Sequence, residues 1–595
     1  MMWIVLLIIA DLVVVGVLVI GADKVMNNPL DLVRIFLEPE LFKQFASYQG
    51  LYIFFVAIVF GYHQGSSRSS YNNTIHGSAK WSNMVEIRKV LNPEKGIILG
   101  KKLCLDMDSP LNKNVMIIGS SGTGKSRGFI KPNVLQMNGS YIITDPKGEI
   151  FDHTSDYLKS NGYGVKVLNL VNLNASDSYN PLAYINSQQD IQVLAKTIID
   201  NTSKGVLNVG EDSFWANSEM ALLTALITYV LYELPEKQRN LSSVLNLLLT
   251  ASKGDKLDEL FFKLPDSHKA LTSYKIFCLS GDPKTRGNIM IGLGVRLQAL
   301  QNEAVSRLTA SDTLDLGLTG RNKTAVYVIT SDSHRTYDFI SSMFFSQIFQ
   351  TLYCEADKNE GRLNIPVICL LDEFSNIGRI PDFSSKVASM RPRGISVSIV
   401  VQSLGQLKAR YEKEWSDIMG NCDSLLFLGT QDIETAKFIS ERLGKSTVTS
   451  KTKSLSVPFR SSVRGSKTEG EGKTGRPLLM PDEITRLEPR KSIIIIQGLY
   501  PVMANKYDIT YHKDYSKLRK RNHNEYNSNY IPVYEEFKPV FDEDEAPKEQ
   551  MKTFTKTKAD IKREQTKEAE FFQDNTSIFE NTDFGRCRNE SREIS

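Results

Sequence analysis

One short motif limits most strongly what this chain can fold into. Residues 115–118 are an apolar run typical of a buried strand, and the sequence GSSGTGKS follows without a gap. This sequence matches the pattern GxxxxGK[ST] in full. It therefore predicts a phosphate-binding loop (P-loop) between a strand and a helix, formed by Gly119, Ser120, Ser121, Gly122, Thr123, Gly124, Lys125 and Ser126.

The residue types of this loop predict how it would hold a nucleotide. Its glycines let backbone N–H groups curl around phosphate, and the N-terminus of the next helix adds a positive dipole end. Lys125 can reach the β- and γ-phosphates, and the hydroxyl of Ser126 can bind Mg²⁺. ATP and Mg²⁺ are therefore the predicted cofactors.

A P-loop needs an acidic partner on a neighbouring strand, and the apolar run 367–371 provides one. The run reads as a parallel core strand that ends in Asp372 and Glu373. We expect Asp372 to hold the Mg²⁺ shell and Glu373 to act as the general base that polarises the attacking water. This pair favours hydrolysis over simple nucleotide binding. Two solvated carboxylates after a strand are the alternative.

A third apolar strand, at residues 397–401, ends at Gln402. A polar residue at this place can sense the γ-phosphate, although a lone glutamine is usually a surface residue. Arg391 and Arg393 lie just before the strand. An arginine beside a subunit boundary can stabilise transition-state charge in the neighbouring subunit, and a solvated loop charge is the alternative for both.

Two apolar segments at the front of the chain predict membrane helices. Residues 1–20 are long enough to span a bilayer core despite Asp11, and residues 45–62 form a weaker second span. A cleaved signal peptide and a buried soluble helix are the respective alternatives. Basic residues after the second span, among them Arg68 and Lys80, place that side in the cytoplasm. The bulk of the chain would then be cytoplasmic and tethered to the membrane.

Composition excludes several classes of protein. The 595 residues are 41% hydrophobic and 24% charged, which rules out a wholly disordered or collagen-like chain. The net charge of +4 is too balanced for a general nucleic-acid binder, so any DNA contact would need a local basic surface. The cysteines form no CxxC pair or zinc pattern and suit a reducing cytosol. They are Cys104, Cys278, Cys354, Cys369, Cys422 and Cys587.

A set of motifs gives the chain a family resemblance. The strand that runs into TDPKGE at residues 144–149, soon after the P-loop, resembles the conjugative coupling ATPases of type IV secretion systems, which are TraG-like and TraD-like. Other motifs agree in order along roughly residues 1–510. They are HGSAKW at 76–81, YNPL at 179–182, LDEF at 371–374, QSLGQL at 402–407 and PDEI at 481–484.

The resemblance implies an α/β fold, in which a RecA-like P-loop motor domain carries an inserted all-α domain. It implies a homo-hexameric ring at the bacterial cell membrane that brings relaxase–DNA complexes to a secretion channel and helps to pump the DNA. By position, Lys125, Glu373, Arg391 and Gln402 inherit catalytic roles, and Ser126 and Asp372 inherit the metal role. Asp145 and Lys147 carry over only as residues next to the site.

The positions of the motifs and the composition together predict that the chain has five regions. The interpretation is a membrane anchor at 1–65, a first part of the motor at 66–185, an all-α insertion at 186–311, a second part of the motor at 312–511 and a disordered tail at 512–595. Trp215 is predicted to lie in the core of the insertion. Residues 450–476 predict a long exposed loop or hairpin, either simply solvated or touching DNA phosphate as a pore loop.

The predicted function is therefore a membrane-anchored hexameric ATPase that couples a relaxase–DNA substrate to a type IV secretion channel. The expected partners are single- or double-stranded DNA, relaxosome proteins, channel proteins, the lipid membrane and further copies of the chain. One alternative is a DNA translocase of the FtsK type. Another is a receptor or scaffold for protein export, in which ATP binding only gates assembly.

Overall fold

A mixed β-sheet forms the centre of the computed structural model. The model describes residues 13–15, 17–28, 32–68, 74–202, 211–251, 256–331, 333–455, 467–527 and 537. Within them, a nine-stranded sheet has the order β14-β13-β10-β4-β9-β8-β5-β7-β6. The strands from β10 to β6 in this order are parallel, and β13 and β14 add an antiparallel edge.

The predicted strands at 115–118, 367–371, 397–401 and 324–329 are all present. The strands of the described residues, in chain order, are β1 (Leu91–Asn92), β2 (Ile97–Gly100), β3 (Leu103–Leu105), β4 (Val115–Gly119), β5 (Ser140–Thr144), β6 (Gly164–Asn169), β7 (Thr324–Ile329), β8 (Val367–Leu371), β9 (Ile395–Val401), β10 (Ser424–Gly429), β11 (Lys445–Leu455), β12 (Lys467–Pro477), β13 (Lys491–Ile496) and β14 (Val502–Asn505).

Helices connect and cover these strands, and a π-helical turn at Ser126–Ile130 leads into the fifth of them. The helices of the described residues, in chain order, are α1 (Ala22–Asn27), α2 (Arg34–Leu37), α3 (Pro39–Arg68), α4 (Met84–Arg88), α5 (Lys131–Leu135), α6 (Glu149–Ser160), α7 (Gln188–Thr202), α8 (Glu211–Glu233), α9 (Leu241–Ala251), α10 (Lys256–Phe262), α11 (Lys269–Cys278), α12 (Pro283–Arg296), α13 (Glu303–Ala310), α14 (Leu318–Arg321), α15 (Asp338–Lys358), α16 (Phe383–Ser389), α17 (Leu404–Arg410), α18 (Trp415–Gly420), α19 (Ile433–Leu443) and α20 (Pro481–Thr485).

Both faces of the sheet are buried, as the continuous apolar strands require. In β4, Val115 and Ile117 pack into one hydrophobic cluster, while Met116 and Ile118 pack into a second cluster on the other face. The sheet is therefore the middle layer of an α/β architecture, which confirms the predicted fold class at this level.

The described residues between β6 and β7 form helices and turns. The helices α7–α13 share a hydrophobic cluster with one face of the sheet. Of α8, Leu222, Leu226 and Ile227 are fully buried, as the apolar face predicted. The prediction for Trp215 is wrong: its exposed fraction is 39%, because it precedes the part of α8 that becomes buried from Ser218 onward. The domain boundaries stay predictions, since residues Met1–Lys538 form one compact unit.

The predicted membrane anchor is described only in part. Residues 1–12 of the first predicted span lie outside the described residues, and residues 45–62 lie within the long helix α3. In the part of the chain that the structure describes, Phe214–Glu233 is long and apolar enough to cross a membrane, and half of it is buried in the helical layer. The two spans therefore stay predictions.

The segment predicted as an exposed loop or hairpin is an antiparallel hairpin of β11 and β12. Residues 456–466, which connect the two strands, lie outside the described residues. The HGSAKW segment holds the base of the hairpin: the backbone N–H of Ala79 donates to the carbonyl of Lys445 at 3.0 Å, and Ser78 bridges Ser446. Contact of this hairpin with DNA stays a prediction.

Residues 506–527, which we call the C-terminal strap, follow β14 and pack against the motor. The carboxylate of Asp152 on α6 accepts the backbone N–H of His523 at 2.7 Å, and Tyr526 donates its hydroxyl to Asp177 at 2.7 Å. The prediction of disorder from residue 512 onward is therefore wrong for residues 512–527. These polar contacts hold the segment together with the packing of Leu518 and Tyr526 against the hydrophobic cluster, and no apolar periodicity in the sequence indicates either.

Candidate nucleotide-binding site

The predicted P-loop lies at the carboxyl end of β4, where the backbone turns sharply. Gly122 and Gly124 have φ values of +77° and +95°, a left-handed conformation that favours glycine. A Cβ on Gly119 would lie 2.5 Å from Oγ1 of Thr123, so this position also requires glycine. The glycines of the motif are thus needed by the conformation of the loop itself.

The Lys125 amine is folded back over this loop. Its Nζ donates to the carbonyl oxygen of Gly119 at 3.0 Å and lies 3.3 Å from Oε1 of Glu373. The side chain is almost fully buried, with an exposed fraction of 8%. Lys125 and Glu373, the second acid after β8, therefore meet. The expectation that the acidic strand is the neighbour of the P-loop strand is wrong, because β9 lies between β4 and β8.

Ser126 and Asp372 form the candidate metal position. The hydroxyl of Ser126 donates to Oδ2 of Asp372 at 2.8 Å, which joins the helix after the P-loop to the end of β8. Burial, together with the neighbouring Glu373, raises the pKa of Asp372 to about 6. One hydroxyl and one carboxylate side by side fit Mg²⁺, which takes few protein ligands and keeps waters and phosphate oxygens for the rest.

Glu373 and Gln402 complete the cluster across adjacent strands. Glu373 has φ +48°, and its Oε2 accepts the side-chain N–H of Gln402 at 2.8 Å. The backbone N–H of Gln402 donates to Oε1 of Gln406 at 3.1 Å. Because β9 lies between β4 and β8 in the sheet, the three predicted groups meet at one edge.

The structure separates Arg391 from this cluster. Arg391 is exposed and precedes β9, whereas Gln402 follows it, so the two lie at opposite ends of a seven-residue strand. Such a strand is about 20 Å long. The guanidinium of Arg391 donates to the carbonyl of Pro110. It is therefore too distant to act on a phosphate bound by its own P-loop.

Arg393 has partners within its own chain. Its guanidinium lies over the ring of Tyr353 at 4.5 Å and pairs with Asp357 at 3.3 Å. A further hydrogen bond goes to the carbonyl of Ser389 at 3.1 Å. These contacts give Arg393 a structural explanation that Arg391 lacks.

The TDPKGE turn supports the site from the neighbouring strand β5. The hydroxyl of Thr144 donates to the carbonyl oxygen of Asp372 at 2.7 Å. Asp145 is buried, and its Oδ2 accepts the backbone N–H groups of Ile150 and Phe151 at 2.8 Å each. Burial raises the pKa of Asp145 to about 7. Lys147 is exposed on the same turn.

Sequence reasoning missed two contributors. Lys506, at the start of the strap, donates its Nζ to the carbonyl of Thr123 at 2.9 Å and so adds a cation beside the P-loop. Gln406 holds the backbone of Gln402. Neither residue ends an apolar run or belongs to a phosphate-binding pattern, so no local signal marked Lys506. Gln406 was visible only within the QSLGQL motif.

A parallel sheet with a P-loop on one strand, an acidic pair on a second and a glutamine on the strand between them defines a P-loop motor fold. Solved structures share this fold. The bacterial conjugative coupling protein TrwBdeltaN70 matches with a TM-score of 0.56 and 16% identity, over 72% of this chain and 92% of that one. TrwB in complex with ADP and Mg²⁺ matches with a TM-score of 0.55 and 16% identity, over 73% and 94% of the respective chains.

Sequence comparison identifies the family. The sequence model of the family described as type IV secretory system conjugative DNA transfer matches residues 73–553, so the chain belongs to this family of conjugative coupling proteins. It is similar to the conjugal transfer protein TraG of Escherichia coli, with 24% identity over 511 residues, 76% of this chain and 78% of that protein. It is also similar to protein VirD4 of Rhizobium rhizogenes, with 25% identity over 475 residues, 74% and 66% of the respective chains. The resemblance noted from the motifs is confirmed.

Proposed function

We propose that the chain is an ATPase that couples a relaxase–DNA substrate to a type IV secretion channel and drives conjugative DNA transfer. The observation that carries the catalytic part is the joined set of Lys125, Glu373 and Gln402 beside the Ser126–Asp372 pair. A site that only binds nucleotide does not need a carboxylate held in place for water activation. Membership of the conjugative DNA transfer family supports the transport part.

The contacts suggest how the residues divide the work. Ser126 and Asp372 would hold Mg²⁺, which neutralises charge on the phosphates. The Lys125 amine, now 3.3 Å from Glu373, would turn to the β- and γ-phosphates when ATP binds. Glu373 would then be free to take a proton from the attacking water. Gln402 would keep that carboxylate oriented through its hydrogen bond to Oε2.

Arg391 fits a role between subunits of a homo-hexamer. It is exposed at the end of the sheet where the parallel strands begin, whereas its own P-loop lies at the end where they finish. In a ring of head-to-tail copies, the surface that carries Arg391 can face the P-loop of the neighbouring copy. We therefore assign Arg391 to the neighbouring subunit's site, and Arg393 to its own fold.

The membrane part of the proposal rests on the front of the chain. Residues 1–20 and 45–62 would form two spans that leave the motor in the bacterial cytoplasm. Relaxosome proteins and channel proteins would then meet the motor at the cytoplasmic face of the membrane.

Steady-state ATP turnover by the full chain, with and without single- and double-stranded DNA, tests this proposal. An ATPase that pumps DNA is expected to turn over ATP and to be stimulated by DNA. Binding without turnover would favour the receptor or scaffold for protein export. The FtsK-type alternative would be favoured by strong stimulation with double-stranded DNA in the absence of any relaxase interaction.

A further inference from the structure

The loop that follows Glu373 is held by side chains of the elements around it. We call residues 374–380 the post-acid loop. Near its start, Nε and Nη2 of Arg410, at the end of α17, donate to the carbonyl oxygen of Ser375 at 3.2 and 2.7 Å. The side chain of Phe374 is fully buried. The first residues of the loop are therefore fixed within the fold.

The middle of the post-acid loop contacts α15. The hydroxyl groups of Ser341 and Ser342 donate to the carbonyl oxygen of Ile377 at 2.6 and 3.1 Å. Gly378 has φ +88°, and a Cβ at this position would overlap Oγ of Ser342 and lie 2.8 Å from Oδ1 of Asn201. Glycine is therefore required where the loop passes between α15 and α7.

Asn201 of α7 holds the loop with both polar atoms of its side-chain amide. Its Oδ1 accepts the backbone N–H of Arg379 at 2.7 Å, and its Nδ2 donates to the carbonyl oxygen of the same residue at 3.0 Å. Nδ2 also donates to the carbonyl oxygen of Thr197, one turn earlier on α7, at 3.0 Å, and this contact orients the amide. One side chain of α7 thus satisfies the whole backbone of one loop residue.

The end of α7 that carries Asn201 belongs to the helical layer. Ile198 and Ile199 are buried in the hydrophobic cluster that its helices share. Beside Asn201 lies a cavity of about 1110 Å³, which Asp338 of α15 and Arg410 of α17 also line. Because side-chain packing is interrupted there, the amide of Asn201 joins α7 to the loop at the rim of a cavity and not inside a packed core.

The backbone of Glu373 depends on how the loop is held. Glu373 has φ +48°, and a left-handed backbone at a non-glycine residue persists only where the surrounding structure fixes it. Its carbonyl oxygen accepts the backbone N–H of Asn376 at 2.8 Å, so a turn connects it with the loop. The loop therefore fixes the backbone of Glu373, while Lys125 and Gln402 hold its carboxylate.

We propose that Asn201 is a positioning residue of the nucleotide site, which acts on Glu373 through the post-acid loop. By holding the backbone of Arg379, it keeps Glu373 in the orientation that activates water. The inference rests on the proposed function, because there is a general base to position only if the site hydrolyses ATP. A partner that displaces the end of α7 slows hydrolysis through this contact and leaves nucleotide binding unchanged. The helical layer thus controls the turnover of the site.

The separation of turnover from binding in variants of the full chain tests this role. Asn201→Ala removes both hydrogen bonds to Arg379 and is expected to lower kcat about tenfold or more, because a small misplacement of a catalytic group costs much of the rate. Equilibrium binding of Mg²⁺ with the non-hydrolysable analogue AMP-PNP should stay within about twofold of the parent, since the P-loop and Asp372 are unchanged.

An isosteric variant keeps the test decisive if Asn201→Ala does not fold. Asn201→Asp has the same shape and keeps the acceptor for the backbone N–H of Arg379, but its ionised carboxylate has no hydrogen to donate to the carbonyl oxygen. It is expected to lower kcat about threefold or more, again with AMP-PNP binding within about twofold of the parent. Thermal unfolding of each variant shows whether it is folded at the assay temperature.

Two controls separate positioning from a general loss of stability. Asn302→Ala shortens an asparagine that lines the same cavity and removes its hydrogen bond to the backbone N–H of Ala304, but it does not contact the loop. Arg379→Ala keeps the backbone that Asn201 holds and removes only an exposed side chain. Both variants are expected to turn over ATP within about twofold of the parent.

Three results would overturn the inference. They are parent-like kcat in a folded variant at Asn201, equal losses of kcat and of AMP-PNP affinity in that variant, and an equal loss of kcat in Asn302→Ala. A parent chain that binds AMP-PNP and does not turn over ATP would overturn the proposed function, and the inference with it. That result is seen in the parent alone, so it is distinct from a failure that only the variants at Asn201 reveal.

Discussion

Glu373 is the residue on which the proposed hydrolysis depends most directly. Its two carboxylate oxygens contact Lys125 and Gln402, one on each side. The strand end that carries it has a left-handed backbone, with φ +48°. Such a conformation at a non-glycine residue is costly and is often retained at functional sites. The side chain is thus held between Lys125 of the P-loop and Gln402.

Replacing Glu373 with glutamine is expected to separate binding from hydrolysis. Glu373→Gln should bind Mg²⁺ and ATP near the parent's affinity, because Ser126 and Asp372 are unchanged. Its turnover should fall at least about 100-fold, since an amide cannot take a proton from water. Nucleotide binding and steady-state phosphate release would be measured on the same preparation. Glu412→Gln, at an exposed carboxylate, is the control, and parent-like turnover by Glu373→Gln would show that another group is the base.

The raised pKa of Asp372 predicts how the affinity for Mg²⁺ depends on pH. Burial raises the pKa of Asp372 to about 6, and the carboxyl must lose its proton to bind Mg²⁺. Affinity for Mg²⁺ at constant nucleotide should therefore be flat above pH 7 and should fall, by up to about tenfold per unit, as the pH drops below about 6.

Titration of Mg²⁺ between pH 5 and pH 8 checks this dependence. Asp372→Asn is measured in parallel and should bind Mg²⁺ weakly. Because this variant lacks the titrating carboxyl, its remaining pH dependence reports protonation of the nucleotide and corrects for it. Parallel curves for the parent and this variant would mean that Asp372 does not titrate in this range.

The residues of the site differ in how far the sequence predicted them. Asp372, Glu373 and Gln402 were predicted because they follow apolar runs, and the carboxyl ends of parallel strands meet at one end of a sheet. Lys125 was predicted from the pattern GxxxxGK[ST]. Lys506 was missed, since its contact with Thr123 joins residues 383 positions apart and leaves no local pattern.

The strap is the element that sequence reasoning misjudged. Few of its residues are apolar, and composition of this kind is typical of disorder. The structure holds it instead by pairs such as Tyr526 with Asp177 and Arg521 with Asp156. Order here comes from these polar contacts together with the packing of Leu518 and Tyr526 against the hydrophobic cluster of the motor. Periodicity in a short window cannot show contacts of that range.

Asp152 attaches the strap through two contacts with one residue. Its Oδ1 accepts both the backbone N–H and the ring N–H of His523, at 2.7 and 3.1 Å. Asp152→Ala should speed hydrogen exchange of backbone amides in residues 519–527 about tenfold or more, because hydrogen bonds to a charged group are worth about 1.5–3 kcal/mol. Amides of β4 should exchange as in the parent.

Asp156→Ala is the comparison for this experiment. Asp156 pairs with Arg521 at 2.9 Å, but both side chains are more than a third exposed. Exposed ion pairs contribute little, so exchange in the strap should change less than about threefold. Equal effects of the two variants would mean that Asp152 is not a special attachment.

At the scale of the whole molecule, the sheet order decides which residues can act within one chain. The three strands β4, β9 and β8 are neighbours, so their carboxyl ends bring the P-loop, Gln402 and Glu373 together. The amino end of β9 carries Arg391 to the opposite edge. The motifs predicted that Arg391 serves a neighbour, and the sheet order supplies a geometric reason that spacing in the sequence could not. Which surfaces of two subunits would meet in a ring depends on the assembly, and no local sequence pattern shows it.

Arg391 therefore makes the prediction that tests the assembly. Arg391→Ala alone and Lys125→Ala alone should each be nearly inactive, since an arginine supplied in trans is worth about 10³-fold or more in rate. A mixture of the two variants can form interfaces that join an intact P-loop of one subunit to an intact Arg391 of the next. After subunit exchange, verified with differently labelled chains, ATP turnover should partly recover. Exchange without recovery would mean that Arg391 does not complete a neighbour's site.

Arg393→Ala distinguishes a role in catalysis from a role in folding. Arg393 lies two positions away but is held over Tyr353 and paired with Asp357 within its own chain. Its loss should lower the thermal stability of the motor while turnover at a permissive temperature stays within about threefold of the parent, because surface-type contacts of this strength are worth about 1 kcal/mol. Arg391→Ala should lose turnover and keep the thermal stability of the parent, since the exposed side chain of Arg391 makes one hydrogen bond, to the carbonyl of Pro110. An equal loss of turnover in both variants, with equal stability, would show that the boundary between subunits lies across Arg393 as well.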